Sequence, residues 1–287
     1  MAKAPADGLL LVDKPAGMTS HDVVDRARRA LHTKRIGHAG TLDPFATGLL
    51  VLLVGRATRL LPYVDGEPKV YEATIRFGAE TTTDDLTGDV TITAPLPAHG
   101  DVERALGSLT GEIDQVPPAF SAKQVGGRRA YAAARSGQAL ELPPVRVTVR
   151  SWETLGWNDA DFRVRITCGG GTYIRALARD LGRTLGSAAH LAALRRIASG
   201  RFSVDDASSI EAIAPESLRP AVDALPPFER ITLDDESQTR VGRGMTIAPG
   251  ALDGGDHAAL LDVGGALVAI AARQGDAWQP KVVLVDA

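Results

Sequence analysis

Apolar residues recur along this chain with two spacings, that of a helix face and that of strands. After Thr19 or Ser20, either of which can cap a helix, Val23, Val24 and Ala27 fall on one helical face. Apolar or alternating runs predict strands at residues 9–12, 49–54, 69–77, 145–149 and 162–168. Helices are predicted at residues 102–109, near 129–135 and from Thr172 to about 185, with a further element at 189–197.

The order of these elements indicates the fold class. Strands and helices are interspersed, but strict strand–helix–strand units are absent, which predicts an α+β fold with a mixed, largely antiparallel sheet. The acidic, turn-rich stretch 79–100 is suited to the surface, and we expect surface insertions over about residues 79–142.

A proline pair at 226–227 marks a break in the chain. Beyond it, apolar runs predict strands at 258–263, 266–271 and 282–285, and Gly264–Gly265 is a hairpin signal. We therefore predict a first domain over residues 1–226 and a small β-rich domain over residues 228–287.

Composition narrows the class of protein. Of the 287 residues 44% are hydrophobic, no stretch has the length of a membrane span and no apolar signal core follows Met1, so we expect a cytoplasmic protein. The single cysteine, Cys168, excludes an intramolecular disulfide, and we interpret it as a packed small hydrophobe. The histidines lack metal-binding spacing and nucleotide-binding glycine motifs are absent, so we expect no metal and no cofactor.

Charge is unevenly distributed, although the net charge is only −3. Residues 20–62, 120–150 and 163–201 hold 21 of the 32 lysines and arginines but only 5 of the 35 acidic residues. One interpretation is a cationic face that contacts nucleic-acid phosphates, and the other is a set of ordinary solvated helix faces.

The most specific chemical signal lies in residues 37–50. There Asp43 stands in a turn between Gly40 and Pro44, directly before an apolar strand. Pro44 biases Asp43 away from the α region, and the glycines let the backbone turn sharply. A carboxylate at the lip of a buried strand is a position for a nucleophile or a base. The alternative is an Asp-Pro turn whose side chain bonds only nearby backbone.

Residues 37–50, GHAGTLDPFATGLL, together with GLLLVDKPAG at 8–17, resemble the TruB family of bacterial tRNA pseudouridine-55 synthases. Shorter matches follow in the family's order, so the resemblance covers about residues 8–205; they are VYE at 70–72, GTYIR at 171–175 and LRR at 194–196. The resemblance implies a pseudouridine-synthase catalytic domain and, more loosely, a PUA-like RNA-binding domain at 228–287. It also implies an enzyme that isomerises uridine 55 in the T-arm loop of tRNA, as a monomer with no cofactor and no obligate protein partner.

Three catalytic residues follow from the resemblance. Asp43 corresponds to the nucleophile, and Tyr71 to the aromatic residue that stacks on the flipped uracil and helps to remove its C5 proton. Arg175 supports this independently, because a cation in the first turn after the expected cap Thr172 opposes the helix dipole and calls for an anionic partner. The family pattern makes that partner Asp43, which the pairing would keep ionised.

Four more residues match positions at the family's substrate site. The resemblance implies that His38 fills the gap left by the displaced base, that Tyr173 and Leu194 line the pocket and that Lys14 braces the site. The glycine triplet 169–171 departs from the usual family sequence, in which a polar or basic residue often precedes the last glycine; this indicates added flexibility or one phosphate contact fewer.

Two other functions compete with this enzyme. A non-catalytic RNA-binding or tRNA-folding protein would use the same basic face, although binding alone needs no Asp43, Tyr71 and Arg175 together, and an enzyme can also assist folding. A guide-RNA-dependent relative of the dyskerin type is disfavoured by the bacterial-like spacing and the lack of a lysine-rich tail.

Overall fold

The structure is a computed structural model and describes residues 7–121, 124–125, 128–129, 140, 142–248 and 255–285. The strands of the described residues, in chain order, are β1 (Gly8–Lys14), β2 (Ile36–His38), β3 (Thr47–Val54), β4 (Lys69–Phe77), β5 (Ala79–Thr81), β6 (Val90–Thr93), β7 (Gly111–Gln115), β8 (Gln124–Val125), β9 (Arg128–Arg129), β10 (Val145–Asn158), β11 (Asp161–Cys168), β12 (Ala189–Ser199), β13 (Phe202–Ser203), β14 (Ser208–Ser209), β15 (Glu229–Thr232), β16 (His257–Leu261), β17 (Leu267–Gln274) and β18 (Ala277–Val283). The α-helices of the described residues are α1 (Ser20–Ala30), α2 (His99–Ala105), α3 (Ile174–Thr184) and α4 (Asp235–Gly242).

Most predicted elements lie where the sequence places them. Strand β4 has the predicted bounds, and α1 begins at Ser20 with Thr19 as its cap: Thr19 Oγ accepts from the Asp22 N–H at 3.0 Å, and the Asp22 carboxylate accepts from the Thr19 N–H at 2.8 Å. The element at 189–197 is strand β12. The strand predicted at 145–149 continues to Asn158, and most of the helix predicted near 129–135 lies outside the described residues.

The chain folds into two compact units, of which the first comprises Met1–Asp43, Leu50–Asp65 and Asp206–Ala287. In this unit β1 lies between β14 and β3, and β2 pairs antiparallel with β3. The predicted face of α1 is buried against these strands in one apolar cluster, which contains Leu10, Val12, Val23, Val24, Ala27, Leu50, Leu52 and Val54.

The second unit comprises Pro44–Leu49 and Gly66–Asp205. Its strands lie in the order β3, β12, β4, β11, β10 and β7, so β3 contributes its first residues here and its remainder to the first unit. The β12–β3 pair is parallel, whereas β12–β4, β4–β11, β11–β10 and β10–β7 are antiparallel. Helix α3 packs on β12 and β4. These pairings confirm the predicted α+β class with a mixed, largely antiparallel sheet.

The C-terminal segment, which belongs to the first unit, has a sheet and an apolar cluster of its own. Strands β15 to β18 lie in chain order, and the predicted hairpin turn is present, with Gly265 at a φ of +83°. Trp278 is fully buried in the cluster, which also contains Leu233, Val241, Ile247, Ala258, Leu260, Val268, Ala269 and Ala271. The predicted domain boundary at 226–227 and the PUA-like character of this segment stay predictions.

One glycine is required where β3 meets β12. Gly48 has a φ of +100°, and a Cβ atom there would lie 2.3 Å from the carbonyl oxygen of Arg196. Both the backbone conformation and the close approach of the two strands therefore exclude a side chain at this position.

We expect Gly48→Ala to lower the free energy of unfolding by about 2 kcal/mol or more, because the added methyl meets strained backbone and an immovable carbonyl. Urea unfolding of the full chain measures this change. Gly107→Ala is the matched control, since its Cβ would meet nothing within 4 Å. Equal midpoints for the two variants would contradict the assigned packing.

Candidate active site

Asp43 lies in the irregular segment between β2 and β3, as the glycine-rich turn predicts. Gly40 has a φ of +109°, a conformation that residues with a Cβ atom rarely adopt. Leu42 is buried and anchors the segment, whereas Asp43 is partly exposed. The segment thus holds a carboxylate next to a buried anchor without enclosing it.

Two further predicted site residues belong to the same unit as Asp43. Lys14 is fully buried, and its Nζ donates to the carbonyl oxygens of Met18 at 2.6 Å and Pro15 at 2.9 Å. It therefore braces the turn that leads into α1. His38 is the last residue of β2 and is partly buried. Substrate contact by Lys14 or His38 stays a prediction.

Tyr71 and Leu194 lie on adjacent strands of the second unit. Tyr71 on β4 is opposite Arg196 on β12, and Leu194 is opposite Ala73, so all four residues share one face of the sheet. Both Tyr71 and Leu194 are buried. Register shifts in the β12–β4 pair flank this stretch on both sides, and such irregularities are typical of sheets next to functional sites.

Tyr173 is the cap residue of α3. The prediction that Thr172 caps this helix is wrong, because the Thr172 hydroxyl instead donates to the carbonyl oxygen of Gly169 at 3.0 Å. Fully buried Gln115 holds the cap from both sides: its Oε1 accepts from the Tyr173 N–H at 2.9 Å, and its Nε2 donates to the Tyr173 carbonyl at 3.1 Å.

Arg175 is the second residue of α3 and is only 4% exposed. Its guanidinium donates to the carbonyl oxygens of Thr83 and Phe120, each at 2.9 Å, and lies 3.6 Å from the Asp85 carboxylate. Asp85 is itself fixed, because its Oδ1 accepts from the Thr83 hydroxyl and from the Thr87 N–H. Arg175 therefore has an anionic partner, as its place in the first turn requires; its pairing with Asp43 stays a prediction.

Two more arginines continue the same face of α3 at four-residue spacing. Arg179 donates to Asp84 at 2.8 Å, and Arg183 forms two hydrogen bonds with Glu80. Burial raises the pKa of the Asp84 carboxyl, against the opposing charge of Arg179. The structure buries three acidic residues at the start of the stretch 79–100, namely Glu80, Asp84 and Asp85. The predicted surface position is therefore wrong for this part of the stretch. Burial is possible because arginines on α3 neutralise the three acids.

The expected cationic face is also smaller than predicted in the basic window at residues 163–201, because three of its arginines are buried. Arg175 and Arg179 are buried, and Arg196 is 0% exposed and donates from Nε to the carbonyl oxygen of Leu49 at 2.7 Å. Side chains that are buried against carbonyls and carboxylates do not form a phosphate-contacting surface. A cationic face in this window is therefore limited to its other members.

The glycine triplet before α3 accommodates a carboxylate. The Gly170 N–H donates to Glu67 Oε1 at 2.8 Å, and a Cβ atom on Gly170 would lie 2.3 Å from the same oxygen. Gly171 has a φ of +78°.

Nearby Cys168 is fully buried, and burial raises the pKa of its thiol to about 11, in line with its interpretation as a packed hydrophobe.

The structure thus groups the predicted residues within each unit. Lys14, His38 and Asp43 belong to the first unit, and the remaining predicted residues, Tyr71, Tyr173, Arg175 and Leu194, belong to the second. Sequence reasoning missed Asp85 and Gln115. The signal for Asp85 was an acidic pair among hydroxyl residues, TTTDDLT, whereas Gln115 ends an ordinary edge strand.

Known protein families match this chain over most of its length. Residues 28–174 match the family model of the TruB family pseudouridylate synthase N-terminal domain, and residues 175–223 match that of the tRNA pseudouridylate synthase B C-terminal domain. The chain belongs to the TruB family. As a TruB-family pseudouridylate synthase it is an isomerase.

Individual relatives support the TruB assignment. The tRNA pseudouridine synthase B of Mycobacterium sp. (strain KMS) is 49% identical over 260 residues, which cover 86% of each chain. That of Thermobifida fusca (strain YX) is 45% identical over 293 residues, 97% of this chain and 98% of the relative. A chain in a Cbf5–Nop10–Gar1 crystal structure has a TM-score of 0.71 at 23% identity, covering 97% of this chain and 85% of its own, and shows the shared fold.

We expect Asp85→Asn to slow the TruB-family isomerisation by about tenfold or more, because the variant keeps the side-chain shape but removes the charge that faces buried Arg175. Single-turnover rates measure the effect. Asp89→Asn, an exposed position on the same loop, is the control and should keep its rate. A normal rate for Asp85→Asn, or an equal loss in Asp89→Asn, would contradict the role assigned to the charge of Asp85.

Proposed function

We propose that this chain isomerises uridine 55 in the T-arm loop of tRNA to pseudouridine. The observation that carries the proposal is Asp43, a partly exposed carboxylate held beside buried Leu42 in the irregular segment between β2 and β3. The substrate is proposed from relatives named tRNA pseudouridine synthase B. The proposal includes a monomeric, cytoplasmic enzyme that needs no protein partner. Among the described residues, no helix has the length and apolar composition needed to cross a membrane.

The reaction exchanges one bond for another. The bond between uracil N1 and ribose C1′ breaks, a bond between uracil C5 and C1′ forms, the C5 proton is lost and N1 gains a proton. Ionised Asp43 acts as nucleophile at C1′ or at uracil C6, or as the base that takes a sugar proton; each route uses the same carboxylate. No redox equivalent or group donor enters this balance.

Tyr71 and Arg175 complete the proposed chemistry. The target base leaves its stack in the RNA loop, and the Tyr71 ring provides the surface on which it is held. Arg175 stabilises negative charge on Asp43 before attack, since its guanidinium is already desolvated and fixed by two carbonyls and Asp85. His38, Tyr173, Leu194 and Lys14 surround the base or brace this arrangement.

RNA capture is the proposed role of the C-terminal segment and of the exposed basic residues. The segment has an apolar cluster of its own, which supports its role as a separate binding module. Every catalytic residue named here precedes residue 226. The segment therefore contributes affinity for tRNA and not the chemistry.

We expect Asp43→Asn to abolish isomerisation while tRNA affinity stays within about threefold, because the variant keeps the shape of the side chain and loses only its charge. Release of tritium from tRNA labelled at uracil C5 reports the reaction. Asp25→Asn removes one partly exposed charge, which pairs with Arg28 on α1, and serves as the control. Turnover by a sequence-verified Asp43→Asn protein would end the assignment of Asp43.

A second prediction separates the two roles of Tyr71. Tyr71→Phe keeps the ring, whose stacking on a base is worth about 1–3 kcal/mol, but should lose most of the single-turnover rate. Tyr71→Leu should lose both rate and affinity. Equal rates for Tyr71→Phe and the unchanged enzyme would leave Tyr71 as a stacking surface only.

A further inference from the structure

A single hydroxyl group binds both backbone polar groups of the residue before Asp43. The Leu42 N–H donates to Ser20 Oγ at 2.9 Å, and the Ser20 hydroxyl donates to the Leu42 carbonyl oxygen at 3.1 Å. One serine hydroxyl has one donor and two acceptor sites, so both bonds form at once. Ser20 is 3% exposed, and water does not replace these bonds readily.

Leu42 needs this partner because it lies outside both flanking strands. Strand β2 ends at His38 and β3 begins at Thr47, so no strand ladder supplies partners for Leu42. Its side chain is buried, and buried backbone groups without partners are costly. Ser20 therefore fixes the backbone position from which Asp43 follows.

The hydroxyl belongs to the first residue of α1. Thr19 and Asp22 form a reciprocal cap at the residue before Ser20. Lys14 Nζ donates to the carbonyl oxygen of Met18, one residue earlier. The bonds from Ser20 to Leu42 are separate from these cap contacts, because they use the Ser20 side chain and not the Thr19 side chain.

We propose that Ser20 is a positioning residue for Asp43. It fixes the position of the carboxylate through its hydrogen bonds to both peptide groups of Leu42, and it does not itself touch the substrate. The proposal rests on the proposed catalytic role of Asp43. It assigns a function to the serine that follows Thr19, beyond the start of a helix.

The adjacent threonine offers a matched control. Thr19→Ala removes the helix cap and lowers stability, but it leaves the Ser20 hydroxyl and its bonds to Leu42 in place. Ser20→Ala removes both hydrogen bonds to Leu42 and keeps the Thr19 cap. The two variants thus separate damage to the helix from release of the Asp43 segment.

The experiment compares Ser20→Ala, Ser20→Thr and Thr19→Ala in the full chain with unmodified tRNA. Single-turnover rate at saturation, tRNA affinity and the urea midpoint are measured for each. We expect Ser20→Ala to lose about 10- to 100-fold in rate with affinity within about threefold, as displacement of a reacting group by about 1 Å does. Ser20→Thr retains a hydroxyl and should recover most of that rate, and Thr19→Ala should lose stability but not rate.

Full rate in Ser20→Ala, or an equal loss in Thr19→Ala, would overturn the proposal. If Ser20→Ala does not fold, hydrogen exchange of the unchanged protein tests the proposal instead. The Leu42 amide should be protected, and rapid exchange of this amide would contradict its hydrogen bond to Ser20. Asp43→Asn is measured alongside. An active Asp43→Asn removes the proposed function, whereas an inactive one beside a fully active Ser20→Ala removes only the inference about Ser20.

Discussion

A buried arginine fixes the relation between the strands of the second unit. Arg196 is 0% exposed, and its Nε donates to the Leu49 carbonyl oxygen of β3. Its backbone lies opposite Gly48 on β3 and Tyr71 on β4. A buried guanidinium N–H that loses its acceptor costs about 1–3 kcal/mol, so a shifted register is disfavoured. The first residues of β3 and the strand that carries Tyr71 therefore pair with the same residue of β12.

Polar side chains hold the irregular backbone on which the candidate chemistry depends. Ser20 binds both peptide groups of Leu42, and Gln115 binds both peptide groups of Tyr173, the residue that caps α3. In each case a buried side chain from a distant part of the chain replaces the missing ladder of a strand or helix. Such contacts fix the backbone close to the charged residue that follows, Asp43 or Arg175.

Local pattern predicted the strands, α1 and the fold class well, because burial on one face leaves a clear period in the sequence. Motif resemblance identified the family and pointed to Asp43. Neither revealed that Arg179 and Arg196 are buried, since composition shows charge but not its partners across 95 or 147 positions. Gln115 and Asp85 were missed because their importance comes from long-range contacts, and only Asp85 had a local signal, the acidic pair in TTTDDLT.

We propose that this TruB-family chain converts one uridine of tRNA, uridine 55, to pseudouridine. The most direct measurement incubates the purified full chain with an unmodified tRNA transcript and maps pseudouridine by chemical sequencing at every position. We expect a single new pseudouridine at position 55 in the T-arm loop. Modification at another position, or a transcript that is bound but unchanged, would contradict it.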